Sequence, residues 1–355
     1  MKKTLLFLSV VLLGIFVLGV VAYGFENQLF PGEEELYKAA KKEGGDVVSY
    51  DTGPYWANWI NEFKAFQKRY RGMFIVYNDL GSGNTVARLE KEKANPQADT
   101  AYYSVVYGPI AKSKGVTQGF KPYNFDKIPD ALKDPEGHWI GFSARARVLI
   151  YNKNLMSTGE IPNSIFDLTN KMYRGKFAIA NPLFGTTTFH IAALFYVLGD
   201  KKAKEFLNDI KRNDVIIATS NGDVKKRTSQ GQILFGLTDT DDVFSAIKEG
   251  EPVNYVFLDQ DKDGIGTLIM PNTVCLIKNG PNTENGKKLI DYLLSRKTEE
   301  KLAISAAQMP LHKGVKTPNY VASLDDIKAM NIDYEKTAQK MQQIQPVIKN
   351  WLNMQ

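Results

Sequence analysis

The chain has 355 residues, with 45 lysines and arginines against 39 aspartates and glutamates and a formal net charge of +6 at pH 7. This basic excess is small and dispersed, which argues against a nucleic-acid partner, because such binding needs a clustered basic face. The length exceeds what one hydrophobic core usually supports, so we expect two lobes.

The N-terminal residues have the pattern of a secretory signal peptide. A basic head at Lys2 and Lys3 precedes an apolar run over residues 5–22, which ends in small residues at Ala22. An uncleaved membrane tether is the alternative, since about 18 apolar residues just span a hydrocarbon core, but no basic stop-transfer cluster follows. We expect cleavage near Ala22 and a protein that works in the periplasm or otherwise outside the cytoplasm.

After the leader, helices and strands alternate in the order typical of parallel sheets covered by helices. The elements predicted in the first half are helices at 33–42, from about 56 and at 86–92, and strands at 47–50 and 73–77. Those of the second half are strands at 176–180, 215–217, 234–237 and 273–277, and helices at 191–198, 203–211, 243–248 and 334–352. Two similar α/β halves predict a cleft between two lobes.

Seven short motifs lie in order over nearly the whole exported chain. They are residues 94–99, 145–152, 166–169, 181–187, 271–278, 291–295 and 308–311. Together they resemble the extracellular solute-binding proteins of ABC importers, in the group of ferric-iron-binding proteins. The resemblance implies an α/β, two-lobed periplasmic-binding-protein fold of type II. Each lobe is then a mostly parallel sheet flanked by helices, joined by crossover hinge strands that let the lobes close on a ligand.

The resemblance also implies a division of the chain and a function. The expected parts are a signal peptide at 1–22, lobe 1 at 23–147, lobe 2 at 148–266, a return to lobe 1 at 267–320 and a helical C-terminal segment at 321–355. The expected function is capture of one small charged solute by a monomer, for delivery to an ABC permease and its ATPase.

Two solute classes stay open. The resemblance implies Fe(III), or an iron–anion complex, as the transported ligand, and no other cofactor. The ferric-iron members bind the metal through adjacent tyrosines after a G-x-x-x-x-G-L stretch, whereas here residues 231–237 match that stretch and residues 238–242 contain no tyrosine. A phosphorylated or zwitterionic organic solute, such as an aminoalkylphosphonate, is the alternative.

Polar loops expected at the carboxyl ends of strands form the candidate site, because ligands of open α/β sheets bind there. Residues 81–84 and 185–188 offer backbone amides at helix starts, which suits an anion, with ordinary capping by Ser82 and Thr186 as the alternative. Two more stretches belong to the candidate site: the loop at 51–56 and the tyrosines at 102–103, which follow a strand. The ligand-binding residues expected in these four stretches are Asp51, Thr52, Tyr55, Trp56, Ser82, Gly83, Asn84, Tyr103, Thr186 and Thr187.

Charged residues complete the candidate site. Arg145 lies in a strand-like run with Ser143 and Arg147, and its planar fork suits an anion, with a surface ion pair as the alternative. Residues 238–242 hold three carboxylates, which repel one another unless a cation or amide donors hold them. We expect Asp239 and Asp241 to face an amine or a metal. Capping of a helix at 243–248 by Asp241 or Asp242 is the alternative.

Two further patterns are weaker. Residues 259–264 resemble a calcium-binding loop, but Met270 stands where the loop needs a glutamate, so we expect a polar turn. The single cysteine, Cys275, is expected in a buried strand and cannot form an internal disulfide. Three scattered histidines and the absence of hydrolase motifs leave a secreted enzyme as a remote alternative, so we expect no enzymatic activity.

Overall fold

The computed structural model describes residues 27–51 and 59–353. The expected signal peptide and cleavage site, and Thr52, Tyr55 and Trp56, lie outside the described residues. Within the described ranges, none of the helices is both long and apolar enough to cross a membrane.

The strands are β1 (Asp46–Asp51), β2 (Phe74–Asp79), β3 (Thr100–Ser104), β4 (Thr117–Gln118), β5 (Ile140–Asn152), β6 (Phe177–Ala180), β7 (Ile216–Ala218), β8 (Phe235–Asp239), β9 (Val253–Val256) and β10 (Ile269–Ile277). The helices are α1 (Glu33–Lys42), α2 (Trp59–Arg69), α3 (Ser82–Lys91), α4 (Tyr107–Ser113), α5 (Gly185–Arg212), α6 (Asn221–Ser229), α7 (Thr240–Lys248), α8 (Thr283–Leu293), α9 (Arg296–Ala306), α10 (Tyr334–Gln343) and α11 (Gln345–Asn353).

The two lobes are built on matching groups of parallel strands. In lobe 1, β2, β1 and β3 are parallel and β10 pairs antiparallel to β3. In lobe 2, β7, β6 and β8 are parallel and β5 pairs antiparallel to β8. Strands β5 and β10 also pair with each other, which gives the order β2-β1-β3-β10-β5-β8-β6-β7. The predicted α/β alternation is therefore present in both halves.

Strand β5 carries the chain from one lobe to the other. Ala146 is its last residue opposite β10, and from Arg147 onward its partner is β8. The lobe bounds expected at Arg147 and residue 267 stay predictions; β5 changes partner between Ala146 and Arg147, and β10 begins at Ile269. A strand shared by two sheets can bend without losing its hydrogen bonds to either one, so β5 suits a hinge.

Aromatic side chains fill the core of each lobe. In lobe 1 the Trp59 ring lies 4.6 Å from that of Tyr102 and 5.0 Å from that of Phe142. In lobe 2 the Phe235 ring lies 5.4 Å from that of Phe177. Cys275 is buried within β10, as expected. These rings remove a large apolar area from water, which is the main force holding each lobe together.

Two helical regions differ from their predicted bounds. The helices expected at 191–198 and 203–211 are both present within α5, because the backbone leaves helical geometry between them at Gly199, where φ is 78° and ψ is 161°; the first of them begins earlier than expected, at Gly185. The single C-terminal helix expected at 334–352 is two helices, α10 and α11. Pro346 explains the break, because proline lacks the amide proton of a helix interior but fits the first turn of a new helix.

Helix α10 braces the junction between the lobes. It packs against α5 of lobe 2 and α4 of lobe 1. The Tyr334 hydroxyl donates to the backbone oxygen of Ile269 at 2.6 Å, and its ring lies 6.0 Å from that of Phe189 and 6.3 Å from that of Trp139.

The turn at residues 259–264 is organised by a lysine from a distant part of the chain. Lys328 Nζ donates to the backbone oxygens of Asp261, Lys262 and Gly264 at 2.6, 2.9 and 2.6 Å. Its backbone amide donates to Gln260 Oε1 at 2.7 Å. An ammonium group therefore occupies the centre of this turn.

Candidate functional site

A cleft of about 440 Å³ lies between the lobes. Its walls are the ends of β3 and β8 and the first turns of α3, α5, α6 and α7, so it lies beyond the carboxyl ends of strands, as expected for this kind of sheet. The residues that line it are Ser82, Ser104, Arg145, Gly185, Thr186, Ser220, Asn221, Gly222, Asp239, Asp241 and Asp242.

Helix N-termini from both lobes supply the cleft with backbone amides. Helix α3 of lobe 1 begins at Ser82, and α5 and α6 of lobe 2 begin at Gly185 and Asn221. In the described chain, the residues before α3 and α5 make no side-chain capping hydrogen bond. First-turn amides of this kind, together with the positive end of the helix dipole, favour an anionic ligand.

Ser82 and Thr186 are not the helix caps of the alternative interpretation. Each lies inside its helix, and the cap positions belong to Gly81 and Phe184. Ser82 Oγ accepts from the Ser104 amide at 3.2 Å, which ties α3 to the end of β3. Thr186 Oγ1 donates to Asp239 Oδ2 at 2.8 Å. Both hydroxyl groups therefore belong to the wall of the cleft.

Arg147 and Asp239 form the buried centre of the lobe 2 wall. Arg147 Nη1 donates to Asp239 Oδ1 at 2.6 Å and to Asn221 Oδ1 at 3.1 Å. Asp239 Oδ2 also accepts from Asn221 Nδ2 at 3.2 Å, besides Thr186. Both oxygens of Asp239 are thus occupied, and its charge is neutralised within the protein.

Arg145 lies nearer the middle of the cleft and makes longer ion pairs. Its Nε is 3.5 Å from Asp239 Oδ2, and its Nη1 is 3.8 Å from Asp241 Oδ2. The side chain is buried in the wall that it lines. The planar guanidinium group suits a bidentate contact with a phosphonate or carboxylate.

The hydrogen bonds that the two remaining acids accept come from neutral groups. Asp241 Oδ2 accepts from Gln308 Nε2 at 3.3 Å, and no described residue supplies a hydrogen bond to its buried Oδ1. Asp242 Oδ2 accepts from Thr238 Oγ1 at 2.7 Å. Helix α7 begins at Thr240 with Asp239 in the cap position, so capping by Asp241 or Asp242 is not what positions them.

Burial and mutual repulsion shift the titration of these acids. Burial raises the pKa of Asp241, and the charge of Asp239 raises it further, while Arg145 opposes both. Burial raises the pKa of Asp242 to about 7, with repulsion from Asp241 and Asp239 adding to it. A cationic group placed beside these carboxyls would relieve the repulsion and stabilise their charged forms.

Five of the residues predicted from sequence meet in the cleft: Ser82, Arg145, Thr186, Asp239 and Asp241. Three others lie next to it. Thr187 Oγ1 donates to Asn221 Oδ1 at 3.5 Å, and Gly83 and Asn84 continue the first turn of α3, where Asn84 Nδ2 donates to the Leu80 oxygen at 3.0 Å. The backbone of Asp51 ends β1 opposite Asp79.

Two predicted site residues point elsewhere. Tyr103 is wholly buried, and its hydroxyl meets Cys275 Sγ at 2.8 Å, because successive side chains of β3 alternate and Ser104 is the one at the cleft. Ser143 is buried below the cleft, where its amide donates to Glu299 Oε1 at 2.7 Å. Neither side chain is among those that line the cleft.

Sequence reasoning missed Ser104, Ser220, Asn221 and Gly222, which also line the cleft. The signal for the last three was available, since they form the polar loop after the strand predicted at 215–217. Gln308, which contacts Asp241, had no such signal because it follows a helix and reaches the cleft only through the fold.

The metal site expected at Asp239 and Asp241 stays a prediction. Among the described residues, no three His, Cys, Asp or Glu side chains are grouped so as to hold a metal ion. Asp239 is already bound to Arg147, and the described lining of the cleft contains no tyrosine.

Comparison with known proteins gives one family over most of the chain. The family model described as bacterial extracellular solute-binding protein matches residues 96–340, more than two thirds of the chain. A periplasmic protein of Salmonella typhi, provisionally named for binding 2-aminoethylphosphonate, is 28% identical over 265 residues, 73% of this chain and 75% of the relative. Iron uptake protein A1 of Synechocystis is 26% identical over 320 residues, 86% of this chain and 84% of the relative.

Solved structures agree with the fold. FutA of Trichodesmium, in complex with iron and citrate, superimposes with a TM-score of 0.75 at 22% identity, covering 86% of this chain and 99% of that one. The solute-binding family and the two-lobed α/β fold of type II that the sequence motifs predict are thereby confirmed.

Proposed function

Because the chain belongs to the bacterial extracellular solute-binding protein family and serves an ABC importer outside the cytoplasm, we propose that its solute is a small zwitterion with a phosphonate or phosphate group at one end and an amine at the other. The single observation that carries this proposal is the composition of the cleft. Helix N-termini and Arg145 favour an anion in the same space where Asp241 and Asp242 favour a cation.

The anionic end is assigned to the first turns of α3, α5 and α6. Gly185, Asn221 and Gly222 present backbone on the lobe 2 side, and Ser82 and Ser104 add hydroxyl groups from lobe 1. Arg145 lies between the two lobes on β5, where it reaches an anion bound to either wall. An anion held by groups from both lobes favours the closed state, since closing the cleft completes its contacts.

The amine end is assigned to Asp241 and, beside it, Asp242. Asp239 is excluded as the main cation partner because Arg147 neutralises it at 2.6 Å. A volume of about 440 Å³ accommodates a compact solute with few rotatable bonds. The Salmonella relative's name supports an aminoalkylphosphonate as the first candidate.

The protein's part in transport is capture without chemistry. The lobes close about β5 and β10, and the closed complex is what the permease and its ATPase receive. Monomeric action and signal-peptide cleavage near Ala22 are parts of the same proposal. Sedimentation of the purified protein and mass measurement of its N-terminus test these two points.

Calorimetric titration of the purified protein tests the solute class. We expect 2-aminoethylphosphonate to bind at least tenfold more tightly than ethylphosphonate, which lacks the amine, and ferric citrate to give no coloured tyrosinate complex. Asp241→Asn should remove this preference, whereas Asp130→Asn, at a side chain 98% exposed, should not. A coloured ferric complex together with no binding of either phosphonate would replace the proposal by iron transport.

A further inference from the structure

Gln308 reaches the cleft from a fixed position below its floor. It follows α9 in the segment that returns to lobe 1, and it is wholly buried. The next residue, Met309, exchanges both backbone hydrogen bonds with Ala144 of β5, at 2.6 and 2.8 Å. Gln308 is thereby held beside Arg145, which is the neighbour of Ala144 in β5.

The orientation of the Gln308 amide is determined by its partners. Its Oε1 accepts from Asn272 Nδ2 of β10 at 3.0 Å, so its Nε2 faces the other way. That nitrogen donates to Asp241 Oδ2 at 3.3 Å and to the Ala306 oxygen at 3.3 Å. Asp241 belongs to α7 of lobe 2, so this hydrogen bond crosses from one lobe to the other.

The two acids on either side of Thr240 are held by groups of different charge. Arg147 Nη1 donates to Asp239 Oδ1 at 2.6 Å, a close ion pair. Asp241 accepts its hydrogen bond from the neutral Gln308 amide, and Arg145 Nη1 lies farther away, at 3.8 Å. Thr240 Oγ1 accepts from the Ala146 amide at 3.0 Å, which fixes the first turn of α7 to β5 between them. Asp241 Oδ1 has no hydrogen-bond partner among the described residues, so the carboxylate retains accepting capacity for a ligand.

We propose that Gln308 is a positioning residue that gives the cleft its preference for an amine-bearing solute, by fixing the orientation of the Asp241 carboxyl group without itself supplying a counter-charge. This inference rests on the proposed function and assigns its amine selectivity to one lobe 1 side chain. Gln308 does not touch the solute; it acts through Asp241.

The test compares affinities for 2-aminoethylphosphonate and ethylphosphonate in the parent, Gln308→Met, Asp241→Asn and the double variant. Methionine keeps the length of the side chain but has no donor. We expect the ratio of the two affinities to fall roughly tenfold in Gln308→Met, the size expected when a hydrogen bond to a charged group is lost. Ethylphosphonate affinity should change by less than about threefold. In the double variant the ratio of the two affinities should be no lower than in Asp241→Asn alone, because both changes act on the same carboxylate.

Controls separate this inference from a general structural effect. Gln232→Met changes an exposed glutamine on lobe 2 and should leave both affinities unchanged. Equal weakening of both ligands in Gln308→Met, or an unchanged ratio, would overturn the positioning role. If Gln308→Met does not fold, Asn272→Ser replaces it in the test, because it removes the hydrogen bond that orients the Gln308 amide. The ratio of the two affinities must fall in Asn272→Ser as well. An unchanged ratio there would also overturn the positioning role.

The outcomes also separate this inference from the proposed function. If the parent protein binds neither phosphonate, the proposed function fails and the inference fails with it. If the parent binds both phosphonates equally, the proposed anion site is retained. The amine subsite at Asp241 and the positioning role of Gln308 are then both rejected.

Discussion

Arg147 lies directly opposite Asp239 across the antiparallel pairing of β5 and β8, and the two side chains meet at 2.6 Å on the side of the sheet that faces the cleft. The side chains of both are nearly inaccessible, at 2% and 6% exposed. The pair therefore joins the crossover strand to lobe 2 and at the same time removes one negative charge from the site.

Replacing Arg147 by methionine should destabilise the protein by about 3–5 kcal/mol, because a buried carboxylate loses its counter-ion. Urea unfolding monitored by circular dichroism measures the change. Arg174→Met is the matched control, since Arg174 and Asp214 form an ion pair with both side chains more than half exposed, and its loss should change stability little because solvent screens it. Adding Asp239→Leu to Arg147→Met should recover part of the loss, and equal losses in Arg147→Met and Arg174→Met would contradict the role of the pair.

Arg145→Ala should weaken binding of ethylphosphonate by about 1.5–3 kcal/mol, the range for a hydrogen bond to a charged group. Ethylphosphonate has no amine, so its affinity reports on the anionic end alone. Arg145→Lys should retain part of the affinity because it keeps the charge but not the fork. Calorimetry gives the affinities, and Arg212→Ala, at a side chain 75% exposed, is the control. An unchanged affinity in Arg145→Ala would remove this residue from the site.

Asp242→Asn should change how stability depends on pH. The pKa of Asp242 is raised to about 7 by burial, against an ordinary value of 3.8. Below about pH 4 the folded and unfolded states both carry the proton, so the carboxyl has no effect on stability. Between about pH 4 and 7 only the folded state keeps it, so the free energy of unfolding falls as the pH rises.

The free energy of unfolding of Asp242→Asn should therefore rise relative to that of the parent from pH 4 to pH 7. Above pH 7 the difference between the two should stay constant. Urea unfolding at five pH values measures this difference. A difference independent of pH would mean that Asp242 titrates as it does in the unfolded chain.

Glu33→Gln should loosen the attachment of the first described residues. Glu33 is wholly buried and accepts from Arg69 Nε at 2.6 Å, from Arg69 Nη2 at 2.8 Å and from the Leu29 amide at 2.7 Å. Burial favours a raised pKa for Glu33, but these hydrogen bonds and that of Tyr70 lower it. The charged carboxylate therefore stabilises the fold above the ordinary value of 4.5, and this stabilisation is lost as the pH falls through the lowered pKa.

We expect Glu33→Gln to cost on the order of 3 kcal/mol at pH 7 and to speed proteolysis near residues 27–32. Glu34→Gln is the neighbouring control, since its ion pair with the mostly exposed Lys38 is screened by solvent and should contribute little to stability. Equal effects of the two changes on unfolding would show that burial of Glu33 adds nothing.

The sequence predicted the α/β order well because its elements are defined by local patterns. The strands around Val48 and Ile179 and the helix after Gly185 follow from apolar runs and polar breaks, and the carboxyl-end rule then found Ser82, Thr186 and Asp239. The sequence predictions failed where the surroundings of a side chain come from distant parts of the chain. Nothing near Tyr103 in the chain shows that its ring faces Cys275, 172 positions away.

The sequence also did not reveal which partner each acid of the site has. Asp239 and Asp241 look alike in the chain, two residues apart in one acidic cluster. Their difference arises from Arg147 and Gln308, which the fold brings from 92 positions before Asp239 and 67 positions after Asp241. Which of the two acids forms a close ion pair within the protein is therefore decided by tertiary structure.

The ammonium group of Lys328 has a consequence for the conditions under which the crossover region stays ordered. A loop built around a calcium ion depends on the concentration of free calcium, which varies outside the cell, and it is undone by a chelator. The charge at the centre of residues 259–264 is part of the same polypeptide, so it cannot be diluted away or exchanged for another ion. The geometry of this turn is thus held by a charge of the chain itself and does not depend on a bound calcium ion.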